Sequence, residues 1–178
     1  MKIEAPERRF LAKDPEPILQ ALRDHLGKGH EMAYQTITHY LDLPGGTWSI
    51  GKSRIKWRAR NYNGESTWWF ETKRRESNRV TKDRKAVSHC EFGPLETVMV
   101  GRYKRRAFTF GNGLRVTVDT HLEFESPTGE VRRLKSCVIE VKRRDVLPRW
   151  LMKILPEEDK AFSKSKFGLG RLGRCKAS

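Results

Sequence analysis

The chain has 178 residues, enough for one domain with a substantial core and too few for two of ordinary size. Its 37 lysines and arginines outnumber 22 acids, for a formal net charge of +15. Such an excess repels itself in a compact state and implies an anionic partner: nucleic acid, an anionic membrane surface or a polyphosphate. No apolar run approaches the ~20 residues of a membrane span, and Met1 to Pro6 carries no apolar signal core. Cys90, Cys137 and Cys175 are an odd, scattered set that fits neither a disulfide framework nor a zinc ribbon. The expectation is a single domain over residues 1–170, a basic disordered tail over 171–178, and a reducing, cytoplasmic setting.

In chain order, residues 7–13 predict a short strand, and Asp14-Pro15 starts a helix whose spacing of Ile18, Leu19, Leu22 and Leu26 runs to about Gly27. Residues 34–43 alternate Tyr34, Thr36, Thr38 and Tyr40 against Gln35, Ile37, His39 and Leu41, the β-branched and aromatic content of a strand. After the Pro44-Gly45-Gly46 turn comes a basic hairpin, with strands near 53–61 and 66–74 joined at Asn63-Gly64. Residues 79–87 are basic and of open type. Residues 98–110 predict a long strand or a bent pair, residues 114–124 another strand, and residues 134–144 the last. Leu147-Pro148 opens a short helix carrying Trp150, Leu151, Ile154 and Leu155. The class is mainly β with two helices (α+β), about seven or eight antiparallel strands, and such a sheet must close or form a sandwich to manage its edges.

Side chains alternate faces along a strand. Lys56, Arg58 and Arg60 share one face and Ile55, Trp57 and Ala59 the other, and the same grammar recurs in Glu71-x-Lys73, Arg115-x-Thr117-x-Asp119 and Glu140-x-Lys142. One reading makes these the solvated outer faces of a sandwich. The other turns the sheet inside out, with charged faces lining a barrel and apolar faces packed outward against helices. A barrel of about eight strands has room for side chains or one slim ligand. Cations crowded inside would repel one another unless a threaded polyanion relieved them through charge-assisted bonds of roughly 1.5–3 kcal/mol each. Acids among them suit a magnesium or manganese ion, which takes one or two carboxylates plus phosphate oxygens and water.

At these residues the sequence resembles the vacuolar transporter chaperone (VTC) domain, the polyphosphate polymerase branch of the triphosphate tunnel metalloenzymes (CYTH-like). The matching segments run in the family's order: Glu7-Arg8-Arg9-Phe10, Lys56-Trp57-Arg58-Ala59-Arg60-Asn61-Tyr62, Phe70-Glu71-Thr72-Lys73 and Lys82-Asp83-Arg84. They continue with Tyr103-Lys104-Arg105-Arg106-Ala107-Phe108, Leu114-Arg115-Val116-Thr117-Val118-Asp119-Thr120, Ile139-Glu140-Val141-Lys142, Leu147-Pro148-Arg149-Trp150-Leu151 and Ser165-Lys166-Phe167-Gly168. The resemblance implies a closed antiparallel β tunnel that binds a triphosphate or polyphosphate and transfers the γ-phosphoryl of ATP onto a growing chain with Mn2+ or Mg2+. By position it implies that Arg9, Arg58, Arg60, Lys73, Lys82 and Arg115 hold phosphates and that Glu140 is the metal ligand. Lys166 would sit by the reacting phosphates, orienting the attacking end or accepting its proton. Arg9 stands where the family has a lysine.

Other signals weigh less. Gly168-Leu169-Gly170-Arg171-Leu172-Gly173 spells a dinucleotide fingerprint but lacks the strand before it and the helix after it. His121 and Glu123 are more simply a surface pair than metal ligands. Trp68 and Trp69 could stack on bases, but neighbours on a strand face opposite ways and one belongs in the core. Residues 102–106 read as a solvated edge, although Arg105 sits at a family position, and Asp119 reads as a partner for Arg115 rather than a second metal ligand. Three functions compete: a polymerase using ATP, a hydrolase of triphosphate or tripolyphosphate in the same tunnel, and a non-enzymatic polyphosphate-binding module or nucleic-acid binder. Inward-pointing Arg58 and Arg60 would disfavour nucleic acid, and any membrane partner protein is invisible in the sequence.

Overall fold

Alternating charged and β-branched or aromatic residues give strands, and the Pro- and Gly-marked breaks between them give the connections. The computed structural model describes residues 2–3, 7–45, 55–76, 79–88, 92–142 and 146–170. Ten strands and three helices follow in the order β1 (Lys2–Ile3), β2 (Glu7–Ala12), α1 (Glu16–Asp24), β3 (His30–Asp42), β4 (Ile55–Tyr62), β5 (Trp68–Glu76), β6 (Arg79–Val87), β7 (Glu96–Thr109), β8 (Arg115–Glu125), β9 (Val131–Leu134), β10 (Cys137–Lys142), α2 (Arg149–Ile154) and α3 (Lys164–Gly168). The expected tail at 171–178, Cys90 and Cys175 lie outside the described residues.

The expected elements are present and three more appear: β1, β9 and α3. Residues 79–87, of open type in the sequence, are strand β6. The strand expected over 134–144 is β10, shorter than expected, and β9 lies just before it. β9 pairs with Leu122 to Glu125 of β8, while β10 pairs with Arg115 to Asp119. Between those two stretches His121 adopts φ 54°, a left-handed conformation that interrupts the ladder. The β4–β5 turn carries Asn63 and Gly64 at φ 53° and 70°, as a tight hairpin with two positive φ angles requires.

All strands join one antiparallel sheet ordered β1-β6-β5-β4-β3-β7-β8-β10-β2, with β9 beside β8. The class is mainly β as expected, but the closed barrel is corrected to an open sheet: among the described residues no ladder joins its two ends. The edge strands β1 and β2 are consecutive in the chain, yet β1 pairs only with β6 and β2 only with β10 among the described residues.

Apolar faces turn outward, as the inside-out reading expects. Phe108, Val116, Val118, Ile139 and Val141 form the main core with Ile18, Leu19 and Leu22 of α1 and Leu151 of α2. Asp14 Oδ1 accepts the Glu16 N–H at 3.0 Å at the start of α1. A second core lies toward one end of the inner side, where Phe162, just before α3, and Phe167, within it, pack on Tyr40, Met99, Tyr103, Phe124 and Val138. Gly168 explains itself there. A Cβ would collide with Met99 Sδ and lie 3.0 Å from Phe124 Cβ, so this glycine serves close packing rather than a dinucleotide loop. Gly168→Ala is expected to cost about 1–3 kcal/mol by overpacking, read as a lower thermal midpoint; an unchanged midpoint would mean that α3 is not docked this way. No helix among the described residues is long and apolar enough to cross a membrane.

Candidate active site

Sheet register fixes which side chains share the inner face. On β4 and β5, Lys56 lies opposite Lys73, Arg58 opposite Glu71 and Arg60 opposite Trp69. On β5 and β6, Lys73 lies opposite Lys82 and Glu71 opposite Arg84. Across the sheet Arg105 of β7 faces Asp119 of β8, and Glu140 of β10 lies between Thr117 of β8 and Arg9 of β2. These rows share the inner face of the sheet. Lys56 is felt electrostatically by Arg9 of β2 and Lys166 of α3, although β4 and β2 are far apart along the sheet. Arg60 of β4 senses Tyr103 and Arg105 of β7, and Lys164 of α3 lies 5.3 Å from the Tyr103 ring.

Two acid-centred clusters organise the interior. In the first, Asp119 is fully buried and takes Arg105 Nε and Nη2 at 2.6 and 2.7 Å, together with Lys164 Nζ. Glu140 takes Lys164 Nζ at 2.9 Å and Arg105 Nη2 at 3.4 Å, with Arg9 Nε at 3.7 Å. Arg9 also donates to the Phe162 carbonyl at 3.1 Å, tying β2 to the segment before α3. In the second cluster the buried Glu71 carboxylate accepts from Arg58, lies 2.8 Å from Lys82 Nζ and 3.6 Å from Arg84 Nε.

The electrostatics follow from crowding. Burial pushes the Glu140 carboxyl up most strongly, but Lys164 and Arg105 together hold it well below the usual carboxylate range. Asp119 is likewise raised by burial and brought below its ordinary value by Arg105 and Lys164. Glu71 is lowered too, with Arg58, Arg60 and Lys82 outweighing burial. Burial lowers Lys56, helped by Lys166, Lys73, Arg75 and Arg9. Lys82 is lowered by burial against the pull of Glu71. Because the carboxylates titrate lower when folded than when unfolded, their contribution is complete above the ordinary carboxylate range and is lost as pH falls toward the depressed values. The thermal midpoint should therefore drop between about pH 5 and pH 3, and a flat profile there would contradict the ion-paired interior.

Six of the residues expected to form the site, Arg9, Arg58, Arg60, Lys73, Lys82 and Glu140, face this interior. Arg115 shares the face of Thr117 and Asp119 but is exposed at the start of β8, opposite Lys142. Lys166 is exposed on α3 near Lys56. The expected Asp119–Arg115 pair is corrected. Four residues along a strand span about 13 Å, whereas Arg105 lies directly across the ladder. The run 102–106 divides between the two readings: Arg102, Lys104 and Arg106 are exposed, while Tyr103 and Arg105 turn inward. His121 bonds Thr120 and Glu123 pairs with Arg133 at 2.8 Å, both away from the interior. Reading the sequence missed Lys164 and the pairing role of Glu71. The signal for Glu71 was its place on the same face as Lys73.

The oxygen donors suit a hard divalent cation. Glu140, Asp119 and Glu7 stand on three neighbouring strands, and the Thr117 hydroxyl opposite Glu140 is buried without a hydrogen-bond partner among the described residues. Among the described residues no three His, Cys, Asp or Glu side chains form a ready metal cage. An ion here would complete its shell with phosphate oxygens and water, as magnesium and manganese do.

Residues 88–172 match the family model of the VTC domain. The match begins after the first four of the ordered segments and covers the other five, including Arg105, Asp119, Glu140, Lys164 and Lys166. No match to a curated protein was found. Among solved structures, a candidate adenylyl cyclase from Hippeastrum, described as having a dominant triphosphatase activity, is 16% identical, covers 97% of both chains and superposes with a TM-score of 0.60. A candidate adenylate cyclase from Vibrio parahaemolyticus is 14% identical over 82% of this chain and 79% of its own, with a TM-score of 0.56. A Pyrococcus horikoshii protein is 16% identical over 93% and 96%, also at 0.56. Residues 88–172, which match the VTC-domain model and span β7 to α3, thus belong to a chain that shares the fold of these solved structures.

Proposed function

We propose that the chain is a phosphoryl-transfer enzyme that grips a triphosphate in its basic interior and passes the γ-phosphoryl of ATP to the end of a polyphosphate chain. The observation that carries this reading is the convergence of Arg9, Arg58, Arg60, Lys73 and Lys82 from four strands on the space beside Asp119 and Glu140. An outer solvated face has no need to bury such cations together, and a string of phosphates relieves their repulsion.

Phosphoryl transfer needs positioning and charge stabilisation more than covalent chemistry from the protein. Arg58, Arg60, Lys73 and Lys82 would hold oxygens of the donor from one wall and Arg9 from the other, fixing the γ-phosphorus in line between acceptor and leaving oxygens. Arg115 at the rim would guide the chain. Arginine's planar fork suits these contacts because two N–H groups meet two phosphate oxygens. Glu140, with Asp119 behind it, would hold a Mn2+ or Mg2+ ion, whose chemistry there is to neutralise charge on the bridging phosphate oxygens. Lys166, near Lys56 at the rim, would orient the attacking phosphate end. The β–γ bond breaks, ADP leaves and the acceptor gains one phosphoryl unit.

A second reading uses the same interior with water as acceptor, hydrolysing triphosphate or tripolyphosphate. The triphosphatase activity described for the Hippeastrum structure favours it. Incubation with ATP and Mn2+ separates the two. Long-chain polyphosphate on a gel is expected; released phosphate without polymer would replace the first reading by the second. Absence of both products, with no binding of tripolyphosphate, would overturn the shared premise.

A further inference from the structure

The wall built by β3 to β6 changes character along its length. Inward positions on β4 run Lys56, Arg58, Arg60, Tyr62, and on β5 they run Lys73, Glu71, Trp69. The wall passes from lysine to arginine to aromatic. Lys166 and Arg9 add charge near the lysine end. At the other end Trp69 and Tyr62 are half-buried, and Tyr34 tilts against Tyr62 at 5.4 Å. The Arg84 guanidinium lies 4.1 Å from the Trp69 ring centroid and 5.6 Å from that of Tyr62. Arg60 joins the two zones: it stands opposite Trp69 and donates from Nη1 to the Tyr62 hydroxyl at 3.4 Å. The next inward position across from Trp69 is the small Ala86. A shallow, open cavity of about 380 Å³ touches this end of the wall through Ala86, its other lining residues being Ser66, Thr67, Val87 and Ser88.

We propose that Trp69, with Arg84 and Tyr62, is a stacking platform for the base of a nucleoside triphosphate whose phosphates lie on Arg60 and Arg58. This rests on the reading that the interior holds phosphates, and it deepens that reading by naming the residues that receive the base of the nucleotide. Aromatic faces carry negative charge density and add nothing to a grip on phosphate. Trp69 and Tyr62 stand apart from both apolar cores, on the charged face of the sheet. A half-buried indole beside an arginine plane is what a planar base stacks on. Inward neighbours on a strand are about 7 Å apart, the scale of a ribose, so the step from Arg60 to Tyr62 matches the step from phosphate to base. The sequence set Trp68 and Trp69 aside because they face opposite ways. They do: Trp68 meets His39 edge-on at 5.1 Å on the outer face, which leaves Trp69 inside. Because stacking scales with ring size and tolerates different bases, the platform would favour purine over pyrimidine nucleotides without choosing adenine from guanine.

The test is calorimetric titration of the full chain with ATP, ribose 5-triphosphate and inorganic tripolyphosphate. On the unmodified protein ATP should bind roughly tenfold tighter than ribose 5-triphosphate, which carries the same charge without a base. Trp69→Leu should erase that difference and leave tripolyphosphate affinity unchanged. Equal affinities for ATP and ribose 5-triphosphate on the unmodified protein would overturn the platform, whether or not the variant folds. A Trp69→Leu loss equal for all three ligands would overturn it too, since the ring would then be structural. If tripolyphosphate itself fails to bind, the phosphate-holding interior fails, a different result from loss of the base effect alone.

Discussion

Asp119→Ala should lower the stability of the chain by about 3–5 kcal/mol, a fall in thermal midpoint on the order of 10 °C. Asp119 is 0% exposed, and its partners Arg105 and Lys164 are 12% and 10% exposed. Their attraction is therefore little screened by water. Removal of this carboxylate leaves two cations facing Glu140 alone, deep in a region already raised in positive potential by Arg60 and Arg9. The penalty for an unpaired buried charge exceeds the ordinary worth of an ion pair. Thermal melts near neutral pH measure it. A shift of a degree or less would mean that Arg105 and Lys164 reach solvent and that this cluster is not the centre of the interior. Tripolyphosphate should restore part of the lost stability in the variant, because it offers both cations new oxygens.

Arg60→Ala should weaken tripolyphosphate binding by about 30- to 1000-fold, corresponding to roughly 2–4 kcal/mol for a desolvated, charge-assisted contact. Arg60 is 6% exposed and held by the Thr38 hydroxyl at 3.2 Å, so its guanidinium is fixed before any ligand arrives. Glu71 of the neighbouring strand and Tyr103 and Arg105 of β7, one strand beyond β3, surround it with charge. Arg60→Lys should recover only part of the loss, since a point charge replaces a fork. Titration calorimetry reads both variants. Binding unchanged in Arg60→Ala would remove the phosphates from this wall.

Much of this interior is legible in the sequence because strand periodicity carries it. The spacing of Lys56, Arg58 and Arg60 against Ile55, Trp57 and Ala59 needs no tertiary knowledge, and the outward packing of Val116, Val118, Ile139 and Val141 follows from the same alternation. What the sequence hides depends on register and docking. Asp119 and Arg115 share a face, yet partnership is decided by the strand across the ladder, which places Arg105 there. Glu71 shares a face with Lys73, but its contacts with Arg58, Lys82 and Arg84 come from two neighbouring strands. Lys164 and Lys166 look alike in Ser163-Lys164-Ser165-Lys166. Two residues on a helix differ by about 200° of rotation, so the packing of Phe162 and Phe167 decides which ammonium meets the carboxylates.

The central claim is that positive side chains from separate strands surround one phosphate chain. A crystal structure of the protein with tripolyphosphate and Mn2+ tests it most directly. Electron density for the phosphates is expected between Arg9 on one side and Arg58, Arg60 and Lys82 on the other, with the metal ion beside Glu140. Tripolyphosphate bound instead along the outer, exposed row of Arg102, Lys104 and Arg106, with the interior unchanged, would contradict it.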